Sequence, residues 1–284
     1  MNIIVGKYSG FCSGVNYTVS KANEEVLKNQ PLYCLGEIVH NERVIEDLEK
    51  KGMITVSNLS EIPNNNTVIF RAHGESQNTY QFAHEKNLNI IDLTCGKIRI
   101  IKKKIEKEIP NSFIVIIGKK NHPETIGTLS FSGPYSHVME NQEDKEEILS
   151  KIQNSPFHRV YVVAQTTFSS SKFDELSSLL QEKCPYEVIV DKTICDATEK
   201  RQNEVRELSK IVDKMIIIGG KNSSNTKELY QIALESLKNV FFIQNSEDLD
   251  IQFFSKNDTI GIMAGASTPD IILEEVKKRL YEIS

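Results

Sequence analysis

The sequence has no pair of cysteines in CxxC spacing, which excludes a zinc ribbon or a thioredoxin-like redox pair. It has no apolar run of about 18 residues, so no transmembrane helix is expected. The N-terminus lacks a basic stretch followed by a long apolar one, and no secretory signal is expected. Neither a P-loop nor a GxGxxG turn follows any strand-like run, so a nucleotide cofactor is not indicated. Positive charge is also in short supply. The 34 Lys and Arg residues face 39 Asp and Glu, a formal net charge of -5. That balance argues against a broad nucleic-acid surface. No linker, low-complexity tract or charge block divides the chain, and no added domain is expected after the last helical segment.

What is present is an ordinary globular composition, 39% hydrophobic and 26% charged over 284 residues, with room for two or three small domains. Five cysteines is an odd count. With no export signal it points to a reducing, cytoplasmic setting and to free or metal-bound thiols. Cys34 and Cys184 have no polar motif beside them and read as small buried hydrophobes. One basic cluster spans residues 97–107. Ile98, Ile101, Ile105 and Ile109 recur there at helical spacing, so its charges read as the solvated face of an amphipathic helix.

Short apolar, β-branched runs at residues 3–5, 32–35, 67–70, 89–92, 113–117, 138–139, 159–163, 187–190, 214–218, 240–243 and 259–263 read as strands. Helical segments fill the gaps, among them 18–29, 44–51, 77–86, 98–108, 172–183, 199–213, 226–237 and 269–282. This alternation predicts an α/β fold with mainly parallel sheets and right-handed crossovers.

The punctuation repeats three times. Cys12 (in Gly10-Phe11-Cys12-Ser13-Gly14-Val15), Cys95 and Cys195 each follow a strand-like run and precede a polar, helix-compatible segment. His40, His122 and Ser223 lie 28, 27 and 28 residues after them, each in a polar loop ending a strand. His73, Thr166 and Ser267 follow those by 33, 44 and 44 residues, again at strand ends. We expect three pseudo-equivalent α/β units over residues 1–92, 93–192 and 193–284. The alternative is one large doubly wound sheet with coincidental spacing. Ligands bind outside the carboxyl ends of parallel strands, so three inward-facing units would bring the cysteine loops and six polar loops to one cavity.

Three thiolates can hold zinc with an open fourth position, or an iron–sulfur cluster with one iron lacking a protein ligand. Structural cysteines or a nucleophilic one remain as alternatives. His40, His73 and His122, the Ser223-Ser224-Asn225 run and Ser267 all precede helices. Each Ser or Asn there reads first as a helix cap, and the Pro after Ser267-Thr268 fits the first helical position. Together they also make an anion site of hydroxyls, amides, imidazoles and helix N-termini, suited to a di- or triphosphate. Glu124, in His122-Pro123-Glu124, reads either as a first-turn Glu complementing its helix or as a proton source among phosphate-binding groups.

Nine motifs occur in order between residues 10 and 270: GFCSGV, IVHN, AHG, LTC, HPE, QTT, ICDAT with RQ, GGKNSSNT and GASTPD. In these the chain resembles the 4-hydroxy-3-methylbut-2-enyl diphosphate reductase family, which closes the non-mevalonate isoprenoid pathway. The resemblance implies a trefoil of three α/β units around a central [4Fe-4S] cluster held by Cys12, Cys95 and Cys195. It implies a substrate diphosphate held by His40, His73, His122, Ser223, Ser224, Asn225 and Ser267. It makes Glu124 the catalytic acid and Thr166 the hydroxyl that works with it. It implies ferredoxin or flavodoxin as electron donor, and isopentenyl and dimethylallyl diphosphate as products. Two departures from the family pattern stand out. Gly96 replaces the usual Pro after the second cysteine, which predicts a looser loop. Asn16-Tyr17-Thr18 stands where a basic residue is usual. A non-catalytic iron–sulfur or redox-sensing protein on the same fold, and a three-cysteine zinc hydrolase acting on a phosphoester, are the alternatives.

Overall fold

In the computed structural model, which describes residues 1–282, the chain alternates strand and helix from end to end. The elements that matter for the site are β1 (Asn2–Val5), α1 (Ser13–Lys28), β2 (Leu32–Leu35), α2 (Glu42–Glu49), β3 (Met53–Val56), β4 (Thr67–Phe70), α3 (Gln77–Glu85), β5 (Asn89–Asp92) and α4 (Gly96–Glu108). They continue with β6 (Phe113–Ile117), α5 (Pro123–Ser130), β7 (Ser136–Met139), α6 (Lys145–Gln153), β8 (Arg159–Ala164), α7 (Ser170–Lys183) and β9 (Glu187–Asp191). The last are α8 (Asp196–Leu208), β10 (Lys214–Ile218), α9 (Ser224–Ser236), β11 (Val240–Ile243), β12 (Thr259–Ala264) and α10 (Asp270–Tyr281). None of these helices is long and apolar enough to cross a membrane.

The strands form three four-stranded sheets, with orders β3-β2-β4-β5, β7-β6-β8-β9 and β11-β10-β12-β1. Every strand pair among the described residues is parallel. The three orders are one topology used three times, so the fold is three parallel α/β units. Residue 92 is the last of β5 and residue 192 directly follows β9, while β1 is hydrogen-bonded to β12 from the far end of the chain. By packing, the chain divides into two compact units. One comprises Met1–Asn23, Glu37–Lys51 and the residues from Asp196 onward; the other comprises Glu24–Gly36 and Gly52–Cys195.

Parallel strands are buried on both faces, and these alternate accordingly. In the sheet of β10 and β12, Ile216, Ile218, Ile260 and Ile262 pack on Ile272, Val276 and Leu280 of α10. Met215, Ile217 and Met263 face the other way, onto Val205 of α8 and Leu229 and Ile232 of α9. In the β6–β9 sheet, Val115, Ile117, Val160 and Val162 meet Phe173 and Leu180 of α7. Ile114, Ile116 and Val163 meet Ile101 and Ile105 of α4, which places the expected apolar stripe of that helix in the core.

Several elements differ from the sequence expectation: α1 starts at Ser13 rather than at residue 18, α8 covers Asp196–Leu208 rather than 199–213, and two others differ as well. β3 was not anticipated: it is an edge strand paired only with β2, and Ile54 faces outward, so four residues carry little pattern. α10 starts at Asp270, with Pro269 in the capping position rather than the first helical one.

In each sheet the two middle strands carry the polar loops at their C-terminal ends. From β2 and β4, β6 and β8, or β10 and β12, the chain leaves to opposite sides, which makes a crevice of the kind where α/β sheets bind ligands.

Candidate active site

Each of the three loop cysteines stands between an edge strand and a helix. Cys12 precedes α1, and its Sγ accepts the Val15 N–H at 3.4 Å. Cys95 occupies the capping position of α4, and Cys195 directly precedes α8. Their backbones are fixed in the same way. Cys12 N–H donates to the Ala266 carbonyl at 3.2 Å, Cys95 N–H to Ala72 at 3.0 Å, and Cys195 N–H to Thr166 at 3.0 Å. Each bond ties a cysteine to the second polar loop of its own sheet, beside Ser267, beside His73 and at Thr166 respectively. All three cysteines are half-buried and outside any disulfide, whereas Cys34 and Cys184 are buried. Cys184 packs in the core with Phe173 and Leu180. Cys12 belongs to one compact unit, Cys95 and Cys195 to the other. Half-buried thiols at helix heads, braced from the backbone, fit a soft metal or iron–sulfur centre.

The Cys95 loop is held closely despite Gly96. Asp92 Oδ1 accepts Thr94 N–H at 2.9 Å and Thr94 Oγ1–H at 2.5 Å. Arg99 donates to the Thr94 carbonyl at 3.0 Å and to the Asp92 carbonyl at 2.6 Å. Gly96 is simply the first residue of α4, so the looseness expected from losing Pro is countered by these bonds.

Glu124 sits in the first turn of α5, as its sequence position suggested, but its carboxyl is turned away from its own helix. It is 3% exposed. Oε1 accepts the Thr166 N–H at 2.5 Å and Oε2 accepts the Thr166 hydroxyl at 2.7 Å. Burial pushes this carboxyl up to about 7, against the two Thr166 hydrogen bonds and the Lys102 charge that pull it down. Thr166 thus links Glu124 on one side to the Cys195 backbone on the other. His122 caps α5, its Nδ1 accepting the Glu124 N–H at 3.2 Å. The ring proton is therefore on Nε2, leaving that nitrogen a donor. The His73 ring lies edge-on to His122, centroids 5.6 Å apart.

Sequence reasoning missed two residues here. Gln165, 1% exposed, accepts Lys119 N–H at 2.9 Å and Thr125 Oγ1–H at 3.4 Å, and its amide donates to Thr167 Oγ1 at 2.7 Å. It pins the Thr166 loop to the loop before Glu124, and its place directly before Thr166 was the available signal. Gln165→Leu strands the Lys119 N–H. It should cost about 1–3 kcal/mol in denaturant unfolding and lower turnover as the Glu124–Thr166 pair loosens. The helical spacing puts Lys102 on a solvated face. Instead its Nζ donates to the Glu75 carbonyl at 3.2 Å and lies 4.1 Å from the Phe131 ring centroid, and burial lowers its pKa.

The remaining residues lie in the other compact unit. Ser223 caps α9, its Oγ accepting Thr226 N–H at 3.2 Å and Thr226 Oγ1–H at 3.0 Å. Ser267 caps no helix; its hydroxyl donates to the His40 carbonyl at 3.3 Å. A Cβ on Gly220 would lie 2.0 Å from that same carbonyl, so only glycine fits there. His40 Nδ1 is 2.7 Å from Glu37 Oε2, and the ring donates to it from that nitrogen. Ser224 is buried beside them, and Asn225 is 4% exposed. Neither the Nδ2 nor the Oδ1 of Asn225 makes a hydrogen bond to protein. A buried amide with both ends unmet costs stability and is chemically suited to a polar guest. Asn225→Leu should therefore raise the melting temperature of the ligand-free chain while weakening substrate binding at least about tenfold, as a lost hydrogen bond to a charged ligand would. Thermal unfolding and KM read the two effects separately.

The LytB protein family profile matches residues 3–281. The chain belongs to the LytB family. A 4-hydroxy-3-methylbut-2-enyl diphosphate reductase of Caldanaerobacter subterraneus subsp. tengcongensis is 37% identical over 289 residues, covering 100% of this chain and 98% of the relative. The protein of that name from Aquifex aeolicus is 38% identical over 288 residues, covering 100% and 97%. A solved structure of (E)-4-hydroxy-3-methyl-but-2-enyl diphosphate reductase, described as the terminal enzyme of the non-mevalonate pathway, covers 99% of each chain at 38% identity with a TM-score of 0.71. The Plasmodium falciparum E-1-hydroxy-2-methyl-but-2-enyl-4-diphosphate reductase covers 98% of this chain and 87% of its own at 29% identity, with a TM-score of 0.89. The LytB chain thus shares its full length, not one motif, with these reductases.

Proposed function

We propose that this LytB chain removes the hydroxyl group of (E)-4-hydroxy-3-methylbut-2-enyl diphosphate reductively, yielding isopentenyl and dimethylallyl diphosphate. Each turnover takes two electrons and two protons and releases one water. The observation that carries the chemistry is the buried Glu124 carboxyl clamped by Thr166, whose carbonyl in turn holds the Cys195 backbone. Cys12, Cys95 and Cys195 would hold a [4Fe-4S] cluster. When bound, the cluster supplies electrons and a Lewis-acidic iron for the alcohol oxygen.

The protein groups do the rest. With its carboxyl raised to about 7, Glu124 carries a proton through a good part of the neutral range. Protonated at Oε2, it donates to Thr166 Oγ1, and the Thr166 hydroxyl then turns its own hydrogen toward the departing oxygen. Ser223, Ser224, Asn225 and Ser267 bind the diphosphate, with the first-turn N–H groups of α9 adding donors of the right sign. His122 Nε2–H, His73 and His40 complete the binding of phosphate and alcohol. Binding energy from the diphosphate, remote from the reacting carbon, fixes the carbon chain in place. The electrons come from ferredoxin or flavodoxin, and the reaction belongs to the cytoplasm.

Anaerobic turnover of the diphosphate with a small-molecule reductant tests this reading. Formation of the two five-carbon diphosphates supports it. A chain replete in iron and sulfide that leaves the substrate intact would make it a non-catalytic iron–sulfur protein instead.

A further inference from the structure

We propose that the outward face of α4 is the docking surface for a small acidic electron-carrier protein, which delivers its electrons beside Cys95. This rests on the reductase reading above and adds the place where the reductant binds. Six of the thirteen residues of α4 are basic, against two acidic, in a chain whose net charge is -5. Such concentration on an otherwise acidic molecule is local and directional. Ile98, Ile101 and Ile105 face the core. On the opposite side Gly96, Ile100, Lys103 and Lys107 follow one another at i, i+4, i+7 and i+11, an exposed stripe about 16 Å long.

Three features make this stripe more than a solvated face. First, the charges are unequal in their engagement. Arg99 pairs with Asp92 at 3.4 Å, Lys104 pairs with Asp191 at 2.8 Å, and Lys102 turns inward to the Glu75 carbonyl. Lys103 and Lys107 join no ion pair among the described residues, so their charge is uncompensated. Second, Ile100 is 54% exposed on this stripe, one turn from Lys97, Lys103 and Lys104. An apolar residue ringed by like charges has the make-up of a contact centre with a polar rim. Third, the stripe begins at the residue after Cys95. Gly96 is exposed, and a Cβ there would meet nothing within 4 Å, so a partner's backbone can approach the cysteine closely. The hydrogen bonds that Asp92 accepts and Arg99 donates hold that approach rigid. A cleft of about 440 Å³, lined by Arg99, Lys102, Lys103, Asp92 and Phe131 among others, opens alongside and can take an acidic side chain from the partner.

The occupant is fixed by charge and position together. A basic face one residue from a cluster-binding cysteine suits a negatively charged one-electron carrier. Each encounter oxidises one reduced carrier by one electron, so two encounters supply the two electrons that, with two protons, release one water.

The test uses the cluster-loaded chain and its Lys103→Glu/Lys107→Glu variant, both first checked for equal melting temperature. Reduced methyl viologen needs no docking surface and should drive both at equal rates. With an acidic low-potential ferredoxin, the variant's KM for the carrier should rise at least about tenfold, and the wild type alone should lose rate steeply with added salt. Titration of oxidised ferredoxin, without turnover, should show the same loss of affinity. An unchanged carrier KM and affinity, with viologen-driven turnover intact, would overturn the proposal. So would a variant that loses binding only to RNA or to phosphatidylserine vesicles. Absence of viologen-driven turnover in the wild type would instead remove the reductase reading itself.

Discussion

Glu124→Gln is expected to lower viologen-driven kcat by about 10²–10⁴-fold, the range for loss of a positioned general acid, with KM changed only a few-fold. Gln keeps the shape and can still accept from Thr166, so the fold and the substrate pocket stay in place. What it cannot do is pass a proton to the Thr166 hydroxyl. The pH dependence carries the sign of the effect. The Glu124 carboxyl stands near 7 in the folded chain, above its ordinary 4.5, because burial disfavours the charged form. As an acid it is fully competent below that value and is lost as pH rises through it. The wild-type kcat should therefore fall on the alkaline side of about 7, and the residual rate of the variant should lack that limb. Stability runs in the same direction: the contribution of Glu124 is complete below its unfolded pKa and is lost as pH rises through the folded one. The groups facing this carboxyl are Thr166 from the loop after β8 and Lys102 from α4. A Lys102→Met variant, which removes a charge that lowers the pKa, should move the alkaline limb upward.

Cys12→Ser, Cys95→Ser and Cys195→Ser should each reduce iron and sulfide content after anaerobic reconstitution and bring turnover to background. Cys34→Ser and Cys184→Ser should keep the cluster and the activity. The contrast follows from where the sulfurs stand. Three are half-buried at helix heads with their N–H groups tied to the polar loops; two are buried in the packed interior. Serine at Cys34 can keep the thiol's bond to the Gly36 carbonyl, whereas serine at Cys184 places a hydroxyl among apolar side chains. Its cost, about 1–3 kcal/mol, should appear in melting temperature and not in iron content. Iron lost on Cys34→Ser or Cys184→Ser, with the others retained, would show that the thiols had been assigned the wrong way round.

The repeat that organises this molecule was legible because α/β folds put function at strand ends. Evenly spaced Cys, His and Ser residues after β-branched runs could be read as one loop set used three times, and the three sheets share one strand order. Pairing across the chain was not legible: nothing in Asn2-Ile3-Ile4-Val5 says that it completes the sheet of β12. β3 escaped because a four-residue edge strand with one face in solvent has almost no periodicity to read. At the site, the sequence pointed to Glu124 but could not say where its carboxyl turned. A first-turn Glu looks the same whether it serves its helix or reaches Thr166, 42 residues on. Gln165 and Lys102 were missed for the same reason. Their importance lies in partners remote along the chain, and a Lys within a run of lysines gives no sign that it folds inward over Phe131.

Mössbauer spectroscopy of the iron-57-reconstituted chain, with and without the diphosphate substrate, tests the central claim most directly. One four-iron cluster per chain is expected, with about one iron in four changing its signal when substrate is added, since three cysteines leave one iron without a protein ligand. A chain that takes up zinc in place of iron, or a cluster in which no iron responds to substrate, would contradict it.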